Sequence, residues 1–198
     1  MIISSNHEIC GIVLAGGKSS RLGRDKARVV VNGQTLLERT LFLAGEFCAR
    51  VYCVGRDIEG LESKTLWMLD EIPGIGPMGG IITALKRLDC PCLVLACDLP
   101  KLDRSIIKRL IEHRNNRGRD KYITTYFRKG TGFIEALVSI YEPESLDMLV
   151  ASIKQGCYQL SRAIPYEYRC HIAYGPDQEK YFFNVNYPHD LSKLGSTG

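Results

Sequence analysis

Apolar residues in this chain come in short blocks, separated by polar stretches where glycine, proline and charge concentrate. The run 9–14 (Ile-Cys-Gly-Ile-Val-Leu) has no polar interruption, and 92–96 (Cys-Leu-Val-Leu-Ala) is apolar throughout. Such blocks suit strands covered on both faces. Further strands are expected over 51–54, 65–69, 122–125, 136–140 and 169–173, and a short extended piece over 29–31 runs into the turn Asn32-Gly33. Between these blocks the spacing becomes helical. Leu36, Leu37, Leu41, Ala44 and Phe47 make one buried stripe, Ile81, Ile82, Leu85 and Leu88 a second, and Ile106, Ile107, Leu110 and Ile111 a third. The first stripe opens on a capping box, Thr35-Leu-Leu-Glu38, and the third on Asp103 as an N-cap. Helix is also expected over 145–154, over 159–163, and from about 189 onward. Strands alternating with helices predict an α/β three-layer sandwich with a mostly parallel central sheet.

Ligands bind such sheets beyond the carboxyl ends of the strands, so the loops there carry the candidate chemistry. The first strand breaks into residues 15–26 (Ala-Gly-Gly-Lys-Ser-Ser-Arg-Leu-Gly-Arg-Asp-Lys). Glycine lets a phosphate approach the backbone, while Arg21 and Lys26 can offset its charge, one as a planar fork and one as a point charge. Neither the G-x-x-x-x-G-K-[ST] order nor G-x-G-x-x-G is present, so this is a different kind of nucleotide loop. A second glycine-rich loop is expected over 73–80 (Pro-Gly-Ile-Gly-Pro-Met-Gly-Gly). Asp98 follows directly on the most apolar strand. It suits a magnesium ion, which takes one or two carboxylates together with substrate phosphates, and equally a cap before Pro100. Asn184 and Asn186 alternate along an expected strand and so share a face; their structural role would be to bond neighbouring backbone.

Length and charge narrow the partners. At 198 residues the chain fits one domain, and 45% apolar residues suffice for a continuous core. A net charge of +4, concentrated around residues 18–28, suits a small anionic ligand better than a nucleic acid. The second basic stretch, 114–121, has no interleaved aromatics and reads as a solvated loop. Eight cysteines lie largely in apolar runs, without a C-x-x-C pair, which indicates packing in a reducing compartment and no disulfide framework. The first eight residues lack a basic leader, and no stretch is long enough to span a bilayer, so a cytoplasmic protein is expected.

Taken in order, the segments 14–26, 32–39 (Asn-Gly-Gln-Thr-Leu-Leu-Glu-Arg), Asp70, 76–81 (Gly-Pro-Met-Gly-Gly-Ile), 97–100 (Cys-Asp-Leu-Pro) and 183–188 (Phe-Asn-Val-Asn-Tyr-Pro) closely resemble the molybdenum cofactor guanylyltransferases. These belong to the nucleotidyltransferase superfamily, with Rossmann-like, glycosyltransferase-A-like folds. The resemblance runs from about residue 9 to 191. It implies a nucleotide-binding part over about 9–120 and an acceptor-side part over about 121–191. It further implies transfer of GMP from GTP to the terminal phosphate of molybdopterin, with Mg²⁺ and release of pyrophosphate. Other proteins of cofactor synthesis, or the proteins that accept the cofactor, would be partners. By that resemblance Leu14, Ala15, Gly16 and Gly17 contact GTP, Arg21 and Lys26 meet its phosphates, and Asp70 stands on the nucleoside side. Gly79 and Gly80 close over base and ribose, Asp98 carries Mg²⁺, and Asn184 and Asn186 line the acceptor side. The chain departs from its relatives at Cys53 and Gly55, where they often carry asparagine, and over 132–137.

The residues themselves point to the same type of reaction. Nucleotidyl transfer needs positioning and charge neutralisation more than a protein nucleophile. Accordingly the four histidines, 7, 113, 171 and 189, lie outside the motif segments. Two alternatives stand beside the guanylyltransferase: a cytidylyltransferase or an enzyme for another phosphorylated acceptor, and a nucleotide-binding protein without turnover. Lys18 and Arg24 read equally as surface charges, Asp25 as an ion-pair partner of Lys26, and Trp67, Tyr126 and Phe127 as packing aromatics.

Overall fold

A computed structural model describes residues 9–15, 25–55 and 66–192. Strand β1 (Cys10–Leu14) is followed by a hairpin of β2 (Val30–Val31) and β3 (Gln34–Thr35), then helix α1 (Leu36–Gly45). Next come β4 (Val51–Gly55), β5 (Leu66–Leu69), α2 (Pro77–Leu88), β6 (Cys92–Ala96) and α3 (Arg104–Asn115). The remainder holds β7 (Ile123–Arg128), β8 (Ile134–Tyr141), α4 (Ser145–Lys154), α5 (Leu160–Ala163), β9 (Arg169–Tyr174) and α6 (Pro188–Ser192).

Seven strands form one sheet in the order β5-β4-β1-β6-β8-β7-β9. The pairs β5–β4, β4–β1, β1–β6 and β7–β9 are parallel, and only β8 runs against the rest. The mostly parallel sheet is therefore as expected, and the two apolar runs are adjacent central strands whose ten residues are all buried. Alternation then sorts their side chains. Val13, Cys53, Leu93 and Leu95 pack against α1 and α3 on one face, while Ile12, Leu14, Val54 and Val94 meet α2, α4 and α5 on the other. Two apolar cores on opposite faces of one sheet make the three layers. No helix among the described residues is long and apolar enough to cross a membrane.

The local signals explain most boundaries. Asn32 and Gly33 both take positive φ, 52° and 82°, as a tight two-residue hairpin requires. Thr35 and Glu38 complete the capping box of α1 in both directions, at 3.1 Å and 2.8 Å. In α1 the buried positions are Leu36, Leu37, Thr40, Leu43 and Ala44, whereas Leu41 and Phe47 are only half-buried. Thr40 is accommodated because its hydroxyl donates to the Leu36 carbonyl at 2.8 Å.

The basic stretch 114–121 departs from the solvated loop expected of it. Arg114 belongs to α3 and is buried, and it grips the buried Glu142 through two parallel hydrogen bonds of 2.9 Å. Arg117 reaches the same carboxylate at 2.9 Å. Glu142 follows β8, so the pairing joins α3 to the antiparallel part of the sheet, a contact invisible to local charge patterning. Breaking a buried pair strands the surviving charge. Glu142→Ala is expected to cost about 3–5 kcal/mol, whereas Arg114→Met with Glu142→Leu should recover most of that loss. Urea denaturation midpoints of the two variants check both statements.

Candidate active site at the carboxyl edge of the sheet

The register aligns Leu14 with Val54 and Ala96, and Gly55 with Leu69, so the chain leaves four parallel strands at one edge. Ala15, Asp70 and Asp98 emerge there. The Ala15 N–H still belongs to the sheet, donating to Val54 O at 3.0 Å. Gly16, Gly17 and Arg21 lie outside the described residues, as do Lys18 and Arg24.

Lys26 opens a 3-10 turn, Lys26–Arg28, capped by Asp25, whose carboxylate accepts from Ala27 N–H at 3.1 Å. Burial of Ala27 and Val29 seats that turn against the core. The Lys26 ammonium donates to Asp98 Oδ2 at 3.1 Å and to Asn186 Oδ1 at 2.5 Å. Both charged side chains of the pair are about one-fifth exposed, at 21% each. The other oxygen, Asp98 Oδ1, is buried and has no hydrogen-bond partner among the described residues. An ionised oxygen turned inward without a donor is costly unless a cation or donor meets it. Hard carboxylate oxygen is the donor that Mg²⁺ prefers, and this ion binds through one or two carboxylates with waters and phosphates. Asp98 fits that role, although no group of three ligating side chains occurs among the described residues. Beside it, burial and the Asp98 carboxylate push the Cys97 thiol up to about 12, so it stays protonated and is no nucleophile.

The tail reaches this point by a route the sequence pattern does not reveal. Residues 183–186 form no strand; Val185 N–H donates to Asp98 O at 2.9 Å. Val185 is fully buried beside Val29 and Leu36. Asn186 is thereby aimed at Lys26, while Asn184 is exposed and does not join that cluster. Asp190 completes the arrangement, its buried carboxylate accepting from Asn186 N–H at 3.0 Å and Tyr187 N–H at 2.9 Å. The sequence reading missed Asp190. Its signal was a helix-start pattern, proline at the first helical position and an acid two residues later, that ties α6 to the chain before it.

Gly79 and Gly80 correct the second loop. Gly76 takes φ 72° and Pro77 starts α2, so both glycines sit buried in the first turn of a helix and not in a loop. A Cβ on Gly79 would meet Ile72 O at 2.5 Å and both Asp70 carboxylate oxygens at 2.8 Å. A Cβ on Gly80 would meet Leu14 Cδ2 at 3.0 Å and Val54 Cγ1 at 3.2 Å. These glycines let α2 lie close on the sheet. Asp70 in turn accepts from Ile72 N–H at 2.8 Å, fixing the turn before α2. The α2 amino end, with no side-chain cap, opens at the same edge and favours negative charge.

A family model for the MobA-like NTP transferase domain matches residues 11–169. The chain belongs to this family. It is 32% identical over 191 residues to the probable molybdenum cofactor guanylyltransferase of Thermococcus gammatolerans, with 93% of this chain and 97% of that protein covered. It is 29% identical to the molybdenum cofactor biosynthesis bifunctional protein of Synechocystis, where 96% of this chain spans only 54% of the longer relative. Molybdopterin-guanine dinucleotide biosynthesis protein A from Archaeoglobus fulgidus superposes with a TM-score of 0.73 at 25% identity, covering 93% and 96% of the two chains. CMP:2-keto-3-deoxy-manno-octonic acid synthetase, at 11% identity and TM-score 0.72 over 94% and 96% of the chains, shares the fold alone. Membership makes the chain a nucleotidyltransferase with the Rossmann-like fold expected from its sequence.

Gly79→Ala opposes two effects. Alanine favours a helix interior by up to about 1 kcal/mol, but overpacking against a backbone carbonyl costs about 1–3 kcal/mol. The clash should win, giving net destabilisation in chemical denaturation. Gly45→Ala, with nothing within 4 Å of the new carbon, should be neutral or stabilising.

Proposed function

We propose that this nucleotidyltransferase transfers GMP from GTP to the terminal phosphate of molybdopterin, releasing pyrophosphate and forming a guanine dinucleotide cofactor. One observation carries the reading: the Lys26 ammonium bridges Asp98 and Asn186 beside a buried carboxylate oxygen that lacks a partner among the described residues. A cation and a metal-competent carboxylate at a nucleotide-binding edge suit direct nucleotidyl transfer to an acceptor phosphate better than a route through a covalent enzyme intermediate. The names of the relatives supply the choice of guanine and of the molybdenum cofactor.

In this mechanism an oxygen of the acceptor phosphate attacks the α-phosphorus of GTP, and the bond from that phosphorus to the bridging oxygen breaks. Residues 14–17 and Arg21 hold the nucleotide phosphates, with Asp70 and the amino end of α2 on the nucleoside side. Bound Mg²⁺ on Asp98 would neutralise phosphate charge and orient the pyrophosphate oxygens. Lys26 meets charge that grows on the departing pyrophosphate. Asn186 keeps the ammonium aimed at the site, and Asn184 lies toward the acceptor.

Incubation of the protein with Mg²⁺, molybdopterin and GTP, CTP or ATP, following pyrophosphate, tests the reading. GTP should support acceptor-dependent release of pyrophosphate and outcompete the others; preference for CTP would transfer the protein to the cytidylyltransferase reading. Asp98→Asn should lower the rate by roughly a thousandfold or more, since metal stabilisation of the transition state is worth several kcal/mol.

Lys26→Ala should reduce kcat more than it raises KM for GTP, because an interaction strongest in the transition state acts on the chemical step. Steady-state kinetics at saturating acceptor decides this. An unchanged kcat with a raised KM would make Lys26 a binding residue only.

A further inference from the structure

At the edge of the sheet opposite Asp98, four buried cysteines converge. Cys10 begins β1 and Cys92 begins β6, and the two are register partners. Cys90 stands in the turn before β6, where the Cys10 N–H donates to Pro91 O at 2.9 Å and locks the two segments together. Cys90 Sγ lies 2.8 Å from Cys10 Sγ, roughly 0.8 Å beyond the length of a disulfide bond. Cys92 Sγ turns to Cys90 O at 3.3 Å, while the close sulfur contact with Cys90 across the strands is made by Cys10. Cys48, after α1, closes the same end of the core.

The three thiols are not equivalent. Cys90 is 8% exposed, whereas Cys10 and Cys92 are fully buried, so Cys90 is the one a small reagent reaches first. The Cys92 thiol, then the Cys10 thiol and the Arg50 guanidinium, stabilise negative charge on Cys90 and bring it down to about 6 against the opposing effect of burial. Cys92 is pushed up by the same pairing and by its own burial, and so stays protonated. A low-pKa thiol with a second thiol already in contact is the arrangement of a peroxide-reactive pair, in which one sulfur attacks the peroxide and the other resolves the sulfenic acid. None of these residues belongs to the edge that carries Asp98 and Lys26.

We propose that Cys90 and Cys10 form a reversible oxidation site for hydrogen peroxide, closing to a disulfide between β1 and the turn before β6. The Cys90 thiolate attacks one peroxide oxygen, the O–O bond breaks, and the leaving hydroxide takes a proton to become water; Cys90 is now a sulfenic acid. The Cys10 sulfur then attacks Cys90 Sγ and the S–O bond breaks. The departing hydroxyl takes the Cys10 proton as a second molecule of water. Two thiols are oxidised and one peroxide is reduced. Two small thiol donors reverse the reaction by exchange.

The full chain is treated with equimolar hydrogen peroxide, quenched with iodoacetamide, digested and analysed by mass spectrometry. The expected product has lost the mass of two hydrogen atoms, contains a Cys10–Cys90 cross-linked peptide, and returns to the starting mass with dithiothreitol. Cys10→Ser, an isosteric change whose fold is checked by circular dichroism, should leave Cys90 as a sulfenic acid at about one equivalent of peroxide and let it proceed to sulfinic acid at about two or more, without a cross-link to residue 10. Cys90→Ser should leave Cys10 at least tenfold less oxidised than in the parent. The proposal fails if Cys90 of the parent chain is over-oxidised without a link. It fails equally if Cys90 links to Cys92, or if peroxide consumes only the more exposed Cys157 and Cys170.

Discussion

The ammonium of Lys26 gathers three stretches of chain that are remote in sequence: the turn after the first loop, the end of the central strand β6, and the tail before α6. As an ion pair it contributes little, since partly exposed pairs are worth about 1 kcal/mol or less. Its importance lies in what had to be built to hold it. Asp25 caps the turn that carries Lys26, and the buried Val29 and Leu36 anchor the two ends of the following hairpin. Val185 inserts into the same small cluster and gives its N–H to Asp98 O. Asp190 fixes the two backbone amides beyond it. Apolar burial and hydrogen bonds to backbone thus set the position of one charge.

That site depends on the sheet in a second way. Four parallel strands end at one edge, so short connections place Ala15, Asp70 and Asp98 together without a specialised scaffold. Helix α2 must lie very close to that edge; glycine at 79 permits it, because Ile72 O and Asp70 occupy the space a Cβ would take, and glycine at 80 avoids crowding Leu14 and Val54. Asp70 is therefore both a group at the edge and part of the packing that brings an uncapped helix amino end to it.

The opposite edge shows the other use of the same central strands. There small sulfur side chains fill the space between strand starts and the end of α1. Cysteine packs as a small hydrophobe until two sulfurs meet, when its chemistry adds to its packing. One strand pair, β1 and β6, thus leads at one end to the Asp98–Lys26 pair and begins at the other in thiols.

The fold class was legible in the sequence because apolar blocks, capping residues and turn dipeptides act over a few neighbours. β1 and β6, the Thr35–Glu38 box and the Asp103 cap formed where the pattern predicted them, as local hydrogen bonds and period-two burial require. Lys26 and Asp98 were likewise legible as candidates, from residue type and place at strand ends. What local pattern could not convey was which distant groups would meet. It placed Gly79 and Gly80 in a loop, although Pro77 begins a helix before them. It treated Arg114 as solvated, although Glu142 receives it in the core, and it could not single out Asn186 over Asn184 or find Asp190. The sequence by itself determined the layers, the strand-end loops and the chemical types available. Only the tertiary structure decided the partners, because a contact between residues 26, 98 and 186 exists once the sheet order and the burial of Val185 have brought those segments to the same edge.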